Sequence, residues 1–263
     1  IDTLSKLIIP NINLKDNIIF VSNLNEFISP SFLRKENKWL IETKEIRVNF
    51  SVVDFLTEDN TNINFPSNYI GIGDVDYSGY ENIYESLPNT NIELQNSSRE
   101  FPNRRIYLGK EANEENLKDA NLKNSLIHFA THTSKSIDSN YQLPSIVLAK
   151  SKLNDGYLDV FEISELNFND SHIVLSACDT DSSIYEDADQ FSGFIKSFQI
   201  AGARSVLATR WEIETNSAQI VAQSYIKKIK NQLNPQKALA ETQREMIDLN
   251  YHPFFWSGYF VIE

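Results

Sequence analysis

Two residues able to make and break bonds stand at the ends of short apolar runs. Leu126–Ala130 (LIHFA) leads into Thr131-His132-Thr133, and Ile173–Ser176 (IVLS) leads through Ala177 into Cys178-Asp179. Cys178 is the only cysteine in 263 residues, and His132 is one of four histidines. A thiol becomes a nucleophile once a base takes its proton, and an imidazole within hydrogen-bond reach is a suitable base. Taken singly, each residue reads more readily as packing, because free cysteine is among the most buried residue types. In open parallel sheets, however, ligands bind beyond the carboxyl ends of the strands. If the two runs are neighbouring parallel strands, His132 and Cys178 emerge at one edge and form a candidate dyad.

The charge around the cysteine refines that chemistry. Asp179, Asp181, Glu186, Asp187 and Asp189 follow it closely. Negative neighbours raise a thiol pKa. The expected mode is therefore proton transfer to His132 as attack occurs, rather than a standing thiolate. Asp179, Asp181 and Asp189 are candidates for pairing a basic substrate side chain, with a solvated acidic loop as the alternative. His128 and His132 share an H-x₃-H spacing that suits zinc on a helix. Their flanks read as strand and no second Cys/His pair follows, so no metal and no cofactor is expected. His172 and His252 read as structural. Gly71-Ile-Gly73 lacks the third glycine of a dinucleotide loop.

Elements must hold these residues. Asn17–Ser22, Ile46–Leu56, Tyr69–Gly73 and Arg105–Leu108 read as strands between Asn- and Ser-rich connectors. Asn113–Leu122 reads as a helix with Asn113 as N-cap. Leu126–Ala130, Ile173–Ser176 and Ser205–Ala208 read as buried strands. Ser145–Ala149 and Gly156–Val160 form a two-strand excursion. Thr215–Lys230 is an amphipathic helix, and Asn234-Pro235 caps another that runs to about Asn250. The final run, Phe254–Ile262, is apolar enough to predict a central or near-central strand. The alternation implies an α/β fold with a mostly parallel central sheet covered by helices on both faces.

Composition bounds the partners. Against 24 Lys+Arg stand 36 Asp+Glu, a net charge of −12, which argues against direct nucleic-acid binding. A hydrophobic fraction of 41% supports a substantial core. One cysteine makes no internal disulfide, and no apolar run approaches the roughly 18 residues of a membrane span. A cytoplasmic domain without membrane contact is expected. The chain opens on Ile1 and holds one methionine, Met246, so it is expected to be the C-terminal part of a longer protein.

The stretches LIHFATHT (126–133), LSACDT (175–180), AGARSVLATRW (201–211) and HPFFWSGYFVIE (252–263) together resemble the CHAT domain. This is a caspase-like module of the clan CD cysteine peptidases, often attached to tetratricopeptide repeats. LIIP (7–10), LPNTNIE (87–93), YLGKEANEENLK (107–118) and DGYLDVFEISEL (155–166) follow in the family's order, and the likeness spans nearly the whole chain. It implies a caspase-like three-layer sandwich over residues 1–263, with His132 as catalytic histidine and Cys178 as nucleophile. The backbone amides of Cys178 and Thr133 would form the oxyanion hole, and Trp211 would border the substrate groove or join the core. The implied function is a cysteine endopeptidase acting on protein substrates. It would be controlled by an attached or partner sensor or repeat region, in bacterial defence or cell death. The acidic loop adds a basic P1 residue to that expectation. Thr133 stands where the family usually has glycine, and a β-branched residue disfavours positive φ. That is the best support for the rival class, a catalytically silent scaffold, against which the intact His132–Cys178 pair argues.

Overall fold

Continuous apolar strands alternating with amphipathic helices do build a layered α/β structure in the computed structural model. It describes residues 5, 17–21, 29–49, 65–81, 83–135, 143–176, 188–211 and 213–263, apart from the side chains of 135, 188 and 189. Near the start, β1 (Asn17–Val21) pairs in parallel with β4 (Glu45–Asn49). Between them lie a small ribbon, β2 (Arg34–Lys35) and β3 (Lys38–Trp39), and one helical turn, α1 (Leu40–Thr43).

The main sheet follows. β5 (Asn68–Val75), β6 (Asn103–Gly109), β7 (Ser125–Ala130), β11 (Ser171–Leu175) and β12 (Ala203–Thr209) run parallel. β13 (Tyr259–Ile262) joins β12 antiparallel, giving the order β13-β12-β11-β7-β5-β6. Every residue of β7 and β11 is buried, as two covered faces require. One face carries α2 (Asn89–Ser97), α6 (Thr215–Lys230) and α7 (Pro235–Asp248) over a core that includes Leu94, Val174, Leu207 and Tyr225. The other carries α3 (Glu114–Lys118), α4 (Val160–Glu165) and α5 (Ala188–Ile200). There Phe129, Phe168, Phe194 and Phe198 pack in one aromatic cluster. On the same face sits a second antiparallel sheet, β10 (Tyr157–Asp159), β9 (Pro144–Val147) and β8 (Thr133–Lys135).

The α6 bounds coincide with the spacing-based reading, and Asn234 caps α7 through Lys237 N–H at 2.8 Å. Two expectations need correction. The helix begun by Asn113 stops at Lys118 rather than Leu122. Beyond it the Asp- and Asn-rich segment turns, and Asn124 adopts φ 49° before β7 begins. The final apolar run is not a central strand. Its first part is a 3₁₀ turn, Pro253–Phe255, and β13 lies at the sheet's edge. Its apolarity reflects burial: Tyr259, Phe260, Val261 and Ile262 are all buried, and Gln236 Nε2 of α7 donates to Val261 O at 3.1 Å. Of the expected strand Ile46–Leu56, the part beyond Asn49 lies outside the described residues. Gly73 serves packing, since a Cβ there would stand 2.9 Å from Leu94 Cδ1 and from Ala130 O. It lets α2 close onto β5.

No helix among the described residues is long and apolar enough to cross a membrane.

Candidate active site

The strands that end in reactive residues are neighbours. β7 and β11 pair in parallel from Leu126↔His172 to Phe129↔Leu175, so the chain leaves both at one edge of the sheet. β7 runs out at Ala130 and delivers His132 there. β11 ends three positions before Cys178, which itself lies outside the described residues, as do Asp179 and Asp181. Asp189 falls in α5 with its side chain undescribed.

His132 is 1% exposed and held on every side. Its Nε2 lies 2.7 Å from Glu85 O. A carbonyl only accepts, so Nε2 carries the proton and Nδ1 is left with the lone pair. The ring stacks on Tyr84 with centroids 5.6 Å apart and tilts against Tyr77 at 5.0 Å. A directed chain fixes the backbone beside it. His132 N–H donates to Tyr77 Oη at 3.3 Å, Tyr77 O–H to Thr131 Oγ1 at 2.6 Å, and Thr131 O–H to Val147 O at 2.5 Å. Burial pushes the Tyr77 phenol up to about 12, so it is a neutral donor at physiological pH. Tyr80 and Tyr157 complete the cradle edge-on at 5.4 Å. The sequence carries a trace of this cradle in the three tyrosines at 77, 80 and 84, within eight residues.

Thr133 opens β8 in extended conformation and is not among the positive-φ residues. Val147 N–H donates to His132 O at 2.8 Å, and Thr133 lies opposite Ile146. That makes Thr133 a non-hydrogen-bonded position of the ladder, whose N–H points away from β9. The amide is therefore directed off the strand without any left-handed backbone.

A second buried network lies on the opposite face of β7. His128 Nδ1 meets Tyr69 Oη at 2.8 Å, and its Nε2 meets Ser176 Oγ at 2.8 Å. Glu93 Oε1 stands 3.0 Å from the same Nε2, an ion-pair distance without hydrogen-bond geometry. Burial and the Glu93 charge hold the Tyr69 phenol well above its usual range. The network anchors Ser176, two positions before the cysteine. His172 is buried with Nδ1 2.7 Å from Ser205 Oγ, and His252 accepts from Phe254 N–H, so both do structural work.

Trp211 sits just past β12, half-buried, stacked on Phe254 at 5.8 Å and donating to Phe254 O at 3.0 Å. Gly258 makes room for it, since a Cβ there would stand 2.7 Å from Trp211 Cε2. Trp211 thus forms an apolar ledge at the edge that receives His132. Its neighbour Arg210 carries no mark in the sequence that sets it apart from the other basic residues.

Behind the tyrosine cradle, Glu114 is buried. Its Oε1 accepts from Gly156 N–H at 3.1 Å, and Lys118 Nζ bridges it at 2.9 Å and Glu162 at 3.0 Å. Burial pushes the Glu114 carboxyl up to about 7, with Lys118 opposing. Between an ordinary carboxylate value and about 7, the folded chain keeps a proton that the unfolded chain has released. Stability is therefore expected to fall as pH rises through that window. Glu114→Gln keeps the acceptor for Gly156 and should flatten the fall in thermal melts run from pH 4.5 to 8. An unchanged slope would remove Glu114 as its source.

A family model for the CHAT domain matches residues 18–263. A comparison with curated proteins gives no match. Among solved structures, the chain is similar to the Arg-specific cysteine proteinase gingipain R, with 12% identity, TM-score 0.48, and coverage of 83% of this chain and 53% of that one. A structure described as a protease matches at 10% identity and TM-score 0.49, covering 88% and 56%. The complex of Porphyromonas gingivalis RgpB pro- and mature domains matches at 9% and 0.48, covering 83% and 55%. The chain thus spans little more than half the length of these structures.

Proposed function

The chain belongs to the CHAT family, and from that premise we propose that it is a cysteine endopeptidase with Cys178 as nucleophile and His132 as general base. One observation carries the reading. His132 is locked with Nε2–H on the Glu85 carbonyl, so Nδ1 is the basic nitrogen, at the edge toward which β11 takes the chain. In the proposed step Nδ1 accepts the Cys178 thiol proton as Sγ attacks the scissile carbonyl carbon. The resulting oxyanion is held by the amides of Cys178 and Thr133. The C–N bond then breaks as His132 returns the proton to the leaving amine. Water, deprotonated by His132, then adds to the thioester carbonyl, the C–S bond breaks to release the acid, and His132 returns the proton to Sγ. The extended backbone at Thr133 supports the oxyanion role, because an amide already directed off the ladder needs no glycine.

Trp211 and its Phe254 partner form one wall of the groove in this reading. Control by an attached or partner repeat region, in a bacterial defence or death setting, and a cytoplasmic site of action belong to the same proposal and rest on the family likeness. A basic P1 residue rests on Asp179, Asp181 and Asp189, whose side chains are not described. A described charge at the same sheet edge, that of Arg210, has the opposite sign and is taken up below.

The test is covalent labelling by a peptide ending in an electrophilic ketone, read by intact mass. The wild type is expected to gain one adduct and Cys178→Ala none. Equal labelling of the two, or none of the wild type, would sink the peptidase reading.

A further inference from the structure

Arg210 is the residue the mechanism leaves unexplained. It follows directly on β12, its N–H donating to Gly258 O at 3.0 Å, so the strand path continues through it. Arg210 is 6% exposed, and its Nε is buried with no hydrogen-bond partner. Among the described residues no carboxylate pairs with the guanidinium, whose contact is the Phe260 ring, 5.2 Å from Cζ. Burial alone lowers its pKa, to about 10, which leaves it charged at neutral pH. A buried cation without a counter-charge is costly to a fold. Such a group persists where something other than stability requires it.

Its position says what that is. Val206 and Ala208 face the core that holds Phe260, and Arg210 continues that alternation. His132 rests on Tyr77 and Tyr84 of the same core. The two residues thus lie on one face of one edge, with β11 between their strands. A scissile carbonyl over the end of β11 stands one strand spacing, about 5 Å, from the line of β12. That is the reach of an aspartate or glutamate side chain. A guanidinium offers a planar fork of N–H donors matched to a carboxylate.

We propose that Arg210 is the specificity-determining residue that receives an acidic P1 side chain, making this a peptidase that cuts after aspartate or glutamate. The inference rests on the peptidase reading above and reverses the basic P1 expectation drawn from the acidic loop.

The experiment uses acetyl-Ala-Ala-Ala-Xaa acyloxymethyl ketones with Xaa as Asp, Glu, Asn, Leu or Arg, on the wild type, Arg210→Lys and Arg210→Met. The Asp and Glu probes are expected to label Cys178 on the order of 10²-fold faster than Asn, Leu or Arg. Arg210→Met should bring all five to similar rates, and Arg210→Lys should retain an intermediate acidic preference. Arg210→Met should melt no lower than the wild type, because it removes an unpaired buried charge. Faster labelling by the Leu or Arg probe overturns the proposal. So does an acidic preference that survives Arg210→Met, or a loss of melting temperature in Arg210→Met that Arg210→Lys restores, which would show an internal carboxylate partner. If no probe labels the protein, the peptidase reading fails and binding decides the Arg210 assignment. Fluorescein-labelled, C-terminally amidated peptides, Ala-Ala-Ala-Asp against Ala-Ala-Ala-Asn, are then titrated onto Cys178→Ala. Tighter binding of the Asp peptide that is lost on adding Arg210→Met supports a carboxylate site, and equal binding of the two overturns it.

Discussion

A His132→Asn variant is expected to lose at least ~10³-fold in turnover of a peptide substrate, with no further loss when Cys178→Ala is added. The size follows from the geometry. Asparagine is too short to reach the Glu85 carbonyl that His132 Nε2 meets at 2.7 Å, and it has no basic nitrogen to take the thiol proton. The carboxylates close to Cys178 in sequence make that loss severe, because they disfavour the thiolate on which an unassisted cysteine would depend. The non-additivity is equally diagnostic. Nucleophile and base act as one unit, so removing the second partner of a broken dyad costs nothing more. Steady-state hydrolysis together with thermal melts decides the matter. Loss of rate with only a few degrees' change in melting temperature is the expected pattern, and a His132→Asn enzyme that turns over normally would remove His132 from the chemistry.

The frame of this site is legible in the sequence because burial dictates residue type. LIHFA and IVLS are continuous apolar runs since both faces of β7 and β11 are covered. Their adjacency put the exits toward His132 and Cys178 at one edge, as the parallel reading required. The same logic misplaced Phe254–Ile262, because burial and centrality leave the same mark on a sequence. β13 is an edge strand closed over by α7. Other parts of the site have no one-dimensional signature. The Glu85 carbonyl that sets the His132 tautomer is a backbone atom that any residue type would supply. That no described carboxylate pairs with Arg210 appears only in three dimensions. At Thr133, residue type alone argued for strain at a position taken to need glycine, whereas the ladder with β9 supplies an extended backbone that threonine suits.

Gly156→Ala is expected to be among the most damaging conservative changes at the described residues. Gly156 adopts φ +83°, and a Cβ there would stand 2.0 Å from Tyr80 Oη and 2.8 Å from Leu148 O. The positive φ alone costs an alanine roughly 1 kcal/mol. The overlap adds more, because Tyr80 is fully enclosed and donates to Leu148 O at 2.7 Å, so it has no rotamer into which to retreat. Displacing a buried aromatic side chain costs about 3–5 kcal/mol. A total of at least ~3 kcal/mol would lower the melting temperature of a chain this size by about 6–12 °C. A double-mutant cycle isolates the contact. Tyr80→Phe removes the oxygen that the new Cβ would strike, at a cost of about 1 kcal/mol for the lost hydrogen bond. In that background Gly156→Ala should be milder by about 1–2 kcal/mol. Strict additivity in the cycle would place the damage in the backbone instead. The effect should also reach catalysis, since Tyr80 packs against Tyr77 and Tyr84, the two rings that hold His132. Labelling of Cys178 in Gly156→Ala, measured well below its melt, is expected to slow in step with the shift of that cradle and to recover in part with Tyr80→Phe. A recovery of stability without any recovery of labelling would separate the turn at Gly156 from the positioning of the base.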